Sequence, residues 1–325
     1  MNEHLRLGND LNKNETIEQP FEPLTVEEMT VWTGDHAKPS GDQVGDAFER
    51  RLLREMDERS QKDIDALTQK SDGMRSLSKR NIIVSGALET MIGWKEPTLD
   101  DLEVIRETPT TESYGTQIKG SFVDKRTGLI VSGVFLIPSN ATGIETCVFV
   151  SKNGVADYFD EQGKPVAEVA ECLAAGKYVG ILDLYGQGAN SQDGVPLEKA
   201  PKIGYGDARE PYQQFVGYNY GYNQTYFSRR VSGLLTVLSY SAKANASGHK
   251  VTLYGLKGGA HYAAAARALI GKAVDEMIVN TDGFRFANIE TLDDIDMLPG
   301  IVKYGDLPAI LSLSAPLKTE VHGEP

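Results

Sequence analysis

Lys250-Val251-Thr252-Leu253-Tyr254-Gly255-Leu256-Lys257-Gly258-Gly259-Ala260 decides how this chain is read. Val251, Thr252, Leu253 and Tyr254 are β-branched, aliphatic or aromatic, so they favour an extended strand. Gly255, Gly258 and Gly259 then permit a bend too tight for side chains. Alanine is abundant beyond them, and residues 258–270 predict a helix. A strand that enters a helix through a glycine-packed bend forms an elbow.

Outward from the elbow, strands and helices alternate. Residues 146–151 and 178–184 predict strands, with a helix at 165–175 between them that closes at Gly176. Residues 224–241 predict a helix with Val231, Leu234, Leu235 and Leu238 on one face, and 276–280 a further strand. This alternation implies right-handed βαβ units and a parallel sheet. Upstream, 102–106, 116–123 and 129–137 are β-prone, and Asp124-Lys125-Arg126-Thr127-Gly128 reads as a hairpin turn. Antiparallel strands therefore open the sheet. From 42 to 70, Val44, Ala47, Phe48, Leu52 and Met56 recur at three- and four-residue steps, and a second helix is expected at 75–91. The two are expected to pack on the sheet. The domain plan is a linker or tail of a preceding domain at 1–30, an N-terminal helical extension at 31–100 and an α/β core at 101–325.

The elbow carries its own chemistry. A strand–nucleophile–helix turn is written G-x-S-x-G in hydrolases, with the nucleophile on a strained apex between small neighbours. Gly255 and Gly259 hold the two glycine positions, and Lys257 stands at the apex. The amide of Gly258 lies at the helix N-terminus, where it can donate to an oxyanion. Lysine does not replace serine in ordinary acyl transfer. Its ammonium is protonated near neutral pH unless desolvated, and an amide formed from it would not turn over readily. Three readings stay open: a degenerate elbow, compatible with a lysine salt-bridged to a pocket acid; a catalytic lysine of depressed pKa; or an active site elsewhere.

Composition narrows the partners. Among 325 residues, Asp plus Glu number 46 against 33 Lys plus Arg, a formal charge of -13. Such a chain repels phosphate backbones and anionic bilayers, so neither nucleic acid nor membrane is an expected partner. Residues 1–14 are polar without an apolar segment and do not read as a signal peptide. Cys147 and Cys172 read as buried free thiols, and no H-x-x-x-H or cysteine pair suggests zinc. Gly186-Gln187-Gly188 is too short for a dinucleotide fingerprint, so no cofactor is expected.

Longer runs carry a resemblance. They are Trp32-Thr33-Gly34-Asp35-His36-Ala37-Lys38-Pro39-Ser40-Gly41-Asp42-Gln43-Val44-Gly45-Asp46, Gly217-Tyr218-Asn219-Tyr220, Asp282-Gly283-Phe284-Arg285-Phe286, Leu298-Pro299-Gly300 and Lys303-Tyr304-Gly305-Asp306-Leu307-Pro308. In these the chain resembles the acetyl xylan esterase-like α/β hydrolases. Asn2-Glu3-His4-Leu5-Arg6-Leu7-Gly8 resembles the last helix of a preceding hydrolase domain in tandem proteins of that type. The resemblance implies an α/β-hydrolase fold, a three-layer sandwich with a mostly parallel sheet. Here it would be C-terminally incomplete, with an N-terminal helical extension. It also implies removal of acetyl groups from sugars by a Ser–Asp–His triad. Carried over, Lys257 falls at the serine position, and Gly258 and Asn153, in Lys152-Asn153-Gly154, at the oxyanion amides. Glu324, after the strand expected at 317–322, is the candidate acid. The triad histidine would follow one further strand, beyond Pro325.

The remaining candidates admit two readings each. His261 lies one turn past Lys257, which favours helix-surface or packing duty; His322 is expected to pack within its strand, and His36 and His249 to lie in loops. Tyr205, Tyr212, Phe215, Tyr218, Tyr220, Tyr222, Tyr226 and Phe227 suit either sugar stacking or a packed cap; Tyr218, Tyr220 and Tyr222 are the candidate substrate contacts. Asp183 is expected to bond loop amides, and Asp282 and Arg285 to form a buried pair. The expected ligand is an acetylated carbohydrate or small ester. The function is that of a carbohydrate esterase domain, weak or inactive. The alternative is a non-catalytic carbohydrate-binding or interaction module partnering an adjacent hydrolase domain.

Overall fold

The computed structural model describes residues 20–41, 44–69, 73–191, 194, 196–200, 220–245 and 248–324. The chain divides into two units, residues 1–56 and 57–325. In the first, Thr25 and Glu28 form a reciprocal capping box that starts the short helix α1 (Val26–Met29). The helix α2 (Gly45–Gln69) begins in this unit. Its stripe of Val44, Phe48, Leu52 and Met56 is exposed, 37–58% accessible, where the periodicity predicted a packed face. The spacing gave the helix correctly; amphipathicity alone does not name what covers the apolar side.

The second unit is built on one sheet. Its strands are β1 (Leu102–Arg106), β2 (Thr110–Glu112), β3 (Gly115–Asp124), β4 (Leu129–Pro138), β5 (Glu145–Val150), β6 (Tyr178–Asp183), β7 (Lys250–Gly255), β8 (Glu276–Asn280) and β9 (Lys318–His322). Their order is β1-β3-β4-β6-β5-β7-β8-β9, with β2 on β3. β5 to β9 are mutually parallel. β4 runs against both β3 and β6, so β3 shares the direction of that block. The sheet is therefore mostly parallel, opened by an antiparallel meander as the sequence predicts. Gly128, at φ +71, closes the β3–β4 turn, and its N–H donates to the Asp124 carbonyl at 2.7 Å.

Helices cover both faces. α3 (Gly73–Ile92) buries Val84, Leu88 and Ile92. α4 (Ala167–Ala174) follows β5, α5 (Tyr226–Ala244) precedes β7, α6 (Ala260–Ile270) follows it, and α7 (Asp306–Ser312) precedes β9. Along β5 the side chains alternate. Val148 and Val150 join the core beneath α3, α5 and α6, whereas Cys147 and Phe149 join a second core beneath α4. Each fully buried aliphatic side chain contributes about 1.5–3 kcal/mol. Both cysteines are free and buried. No described helix is long and apolar enough to cross a membrane.

Candidate active site

β7 ends at Gly255 and α6 starts at Ala260, so the four residues between make the bend. Two glycines in it are dictated by contact. A Cβ on Gly255 would lie 2.6 Å from the Ala263 Cβ, and one on Gly259 2.2 Å from the Val150 carbonyl oxygen. Strand and helix approach until no methyl fits. Lys257 at the apex has φ +49, a left-handed conformation rare for a side-chain-bearing residue, and Gly258 has φ +77. Such strain costs about 1–3 kcal/mol and persists because neighbours hold it. Here the Lys152 N–H donates to the Lys257 carbonyl at 3.0 Å, and the Leu256 N–H to Val150 at 3.3 Å.

The Lys257 side chain is exposed. Its Nζ donates to the Asp157 carbonyl oxygen at 2.6 Å and lies 5.2 Å from the Tyr158 ring centroid. The salt bridge to a pocket acid considered from the sequence is absent among the described residues, since no carboxylate lies within 4.0 Å of this ammonium. A backbone carbonyl and a ring face supply the negative potential instead. The Gly258 N–H has no acceptor among the described residues and is free to donate. Asn153 is not: its N–H and Nδ2 donate to the two Asp157 carboxylate oxygens at 3.1 and 3.0 Å. The second oxyanion donor expected there is already engaged.

The loop beneath the elbow is fastened by two buried residues. Asp183 accepts from the Val155 and Ala189 N–H groups at 2.8 and 3.0 Å, the amide-bonding role its place at the strand end suggested. Gln187, fully buried, accepts from the Leu184 N–H and donates to the Ser151 and Lys152 carbonyls. Sequence reasoning passed over Gln187; a lone polar residue in a glycine-flanked turn after a strand was its only signal.

Glu324 and Arg285 meet across the end of the sheet. Arg285 Nη1 and Nη2 donate to the two Glu324 oxygens at 3.2 and 2.5 Å, a bidentate pair. The guanidinium holds the Glu324 carboxyl below the usual carboxylate range. Arg285 was expected to pair with Asp282. Asp282 instead sits at φ +47 with its N–H on the Asn280 side chain and forms no pair with Arg285 among the described residues. Asp306, at φ +56, supplies the loop-holding acid by accepting from the Phe286, Ala287 and Leu307 N–H groups.

Of the five histidines, four are described. His322 is exposed and 2.6 Å from Glu320, not packed as expected: on this edge strand its face meets solvent. His36 is exposed, and His249 Nε2 is 2.9 Å from Thr146 Oγ1. His261 packs, as one of its two readings held. Its ring stacks on Phe284 with centroids 4.1 Å apart, and Nε2 is 3.2 Å from Asp296 Oδ1 without hydrogen-bond alignment. Arg230 donates to the Tyr262 hydroxyl, which donates to Asp296. Burial opposes ionisation of Asp296, yet His261, Tyr262 and Arg230 together hold its carboxyl below the ordinary range. Burial, then Asp296, pushes the Tyr262 hydroxyl far up. Nothing in the spacing announced this cluster, whose members come from α5, α6 and the loop after β8.

The tyrosines divide. Tyr205, Tyr212, Phe215 and Tyr218 lie outside the described residues. Tyr222 is 89% exposed. Tyr220 is half-buried, its hydroxyl unpartnered among the described residues and pushed up to about 12 by burial. Tyr226 packs on Tyr185, and Phe227 belongs to the core. No group of three or more metal-ligating side chains occurs among the described residues.

No protein-family model matches the chain, and no curated protein matches it in sequence. Among solved structures, a proposed acetyl xylan esterase from Bacteroides fragilis aligns with a TM-score of 0.56 at 12% identity, over 76% of this chain and 68% of that one. The fold is an α/β-hydrolase fold. A promiscuous CE15 esterase from a marine bacterial metagenome aligns at 14% identity with a TM-score of 0.44, over 77% and 74% of the two chains. In this α/β-hydrolase fold the apex that carries the nucleophile in the G-x-S-x-G pattern carries an ammonium, beside a Gly258 N–H without an acceptor among the described residues.

Proposed function

We propose that this chain is an acetyl xylan esterase-like domain, ancestrally acting on acetylated carbohydrate, whose elbow hydrolyses esters weakly or not at all. One observation carries the reading: Lys257 holds the strained apex where acyl transfer needs a hydroxyl or thiol. A protonated amine has no lone pair for attack, and a neutral one would be trapped as an amide. Among the described residues the candidate acid Glu324 is paired with Arg285, and His322 with Glu320. Hydrolysis of p-nitrophenyl acetate by the wild type, Lys257→Ala and Lys257→Ser tests this. All three are expected within a few-fold of the uncatalysed rate, since a serine without a base is not activated. Robust wild-type turnover abolished by Lys257→Ala would overturn the reading.

The exposed Tyr222 ring favours a second reading, a non-catalytic carbohydrate-binding module beside an active hydrolase domain. A flat aromatic face in solvent suits stacking against a sugar ring. Xylohexaose titration followed by tyrosine fluorescence should then saturate, and Tyr222→Ala should abolish the response. An equal response from the variant would sink this second reading.

A further inference from the structure

At the other end of the parallel strands from the elbow lies an apolar cavity of about 330 Å³. Thr146 and Tyr178, near the starts of β5 and β6, border it, whereas Gly255 closes β7 at the far end. Its walls are Phe122 and Phe135 on the sheet and Val237 and Tyr240 on the last turns of α5. Part of its floor is Gly180. A Cβ there would stand 3.4 Å from the Phe135 ring, close to an ordinary contact, and Gly180 has no left-handed φ. Neither packing nor backbone conformation demands the glycine at Gly180, whereas at Gly120, which also lines the hollow, a Cβ would meet the Ile105 carbonyl oxygen at 2.6 Å. Unfilled apolar volume destabilises a protein, which makes a retained hollow of ligand size informative.

One charge stands at its rim. Arg106, the last residue of β1, lines the cavity and is exposed. It pairs in register with Gly120 of β3, a second position without a side chain. Its guanidinium has neither hydrogen bond nor ion pair among the described residues, in a chain with 46 acidic residues to choose from. An apolar hollow with one free planar cation at its mouth is complementary to an apolar body that ends in a carboxylate.

We propose that this cavity binds a small amphipathic carboxylate, an aliphatic or aromatic acid of about the size of octanoate, with its apolar part against Phe122, Phe135 and Tyr240 and its carboxylate on Arg106. The site is separate from the elbow and does not depend on what the elbow does. Calorimetric titration of the full chain with sodium octanoate and with 1-octanol tests it. The wild type is expected to bind octanoate at one site and octanol more weakly. Arg106→Gln should weaken octanoate about tenfold or more and leave octanol unchanged. Gly180→Val should abolish both by filling the floor. Should that variant fold poorly by circular dichroism, Ser241→Leu fills the same space from α5 and should act alike. Lys257→Ala should bind octanoate like the wild type. Absence of saturable binding, octanoate affinity indifferent to Arg106→Gln, binding that survives both filled variants, or loss in Lys257→Ala would each overturn the proposal.

Discussion

At the scale of the residue, Lys257 and Asp296 show opposite ways of holding an ionic group. Lys257 keeps its side chain in solvent and pays for its position in backbone strain. Replacing it with glycine removes a left-handed penalty of about 1–2 kcal/mol, while the lost exposed hydrogen bond and the added chain entropy give part of it back. Lys257→Gly is therefore expected to raise stability by about 0.5 kcal/mol in urea melts. A loss of more than about 1 kcal/mol would mean that the ammonium's contacts with Asp157 and Tyr158 matter more than the strain. Asp296 is buried beside His261, Tyr262 and Arg230. Asp296→Asn leaves the Arg230 charge without its counter-ion and should cost about 3–5 kcal/mol at neutral pH. The sign of the pH dependence follows from the lowered carboxyl. The stabilisation is complete above the unfolded-state value, about 4, and is lost as pH falls through the lower native one. The gap between wild type and variant should be widest at pH 7 and narrow in acid; a gap that widened below pH 4 would contradict the assignment.

At the scale of the element, the elbow is a contact problem solved by omission of side chains. Gly259→Ala would place its methyl 2.2 Å from the Val150 oxygen, which belongs to the backbone of a central strand and cannot rotate away. Gly255→Ala meets the Ala263 methyl at 2.6 Å and backbone atoms of Ala260 and Gly259 only at 3.0 Å. Gly283 has a left-handed φ, +70, which neither Gly255 nor Gly259 has, but open space around it. Alanine scanning should thus rank Gly259 above Gly255 above Gly283, with losses of about 3 kcal/mol or more at the first and about 1 kcal/mol at the last. Equal losses at all three would show that backbone freedom, not close approach, selected these glycines. The same elements show what the sequence disclosed. Strands β1 and β8 were legible to the residue, because each is a short β-branched or aliphatic run between breakers. The elbow was legible because its glycines and its strand lie within eleven residues. The bond of Arg285 to Glu324 was not, because its ends are 39 residues apart and Asp282 is nearer in sequence. Asp296 was hidden for the same reason. Its partners lie on two helices that only the folded sheet brings together. The exposure of the α2 stripe was hidden too, since periodicity reports an amphipathic face and not its cover.

At the scale of the whole molecule, the question is where cooperativity resides. Among the described residues every buried hydrophobic side chain lies at Ile64 or beyond, and both clusters that sandwich the sheet draw only on residues after it. Among residues 20–41, 44, 45 and 47–56 no side chain is buried. Hydrophobic burial is the main favourable term in folding, so the stability of the sheet should be nearly independent of the first unit. A chain beginning at Asp57 is therefore expected to unfold in one transition, with an unfolding free energy in water within about 1 kcal/mol of the full chain and the same near-ultraviolet dichroism. Hydrogen exchange gives the sharper measure. Amides of β5, β6 and β7, paired on both sides within the sheet, should retain the slowest exchange in both chains, since they open only with global unfolding. If truncation collapsed that protection, or left a compact state without fixed aromatic signals, the first unit would have to supply stability through contacts other than burial of its own side chains.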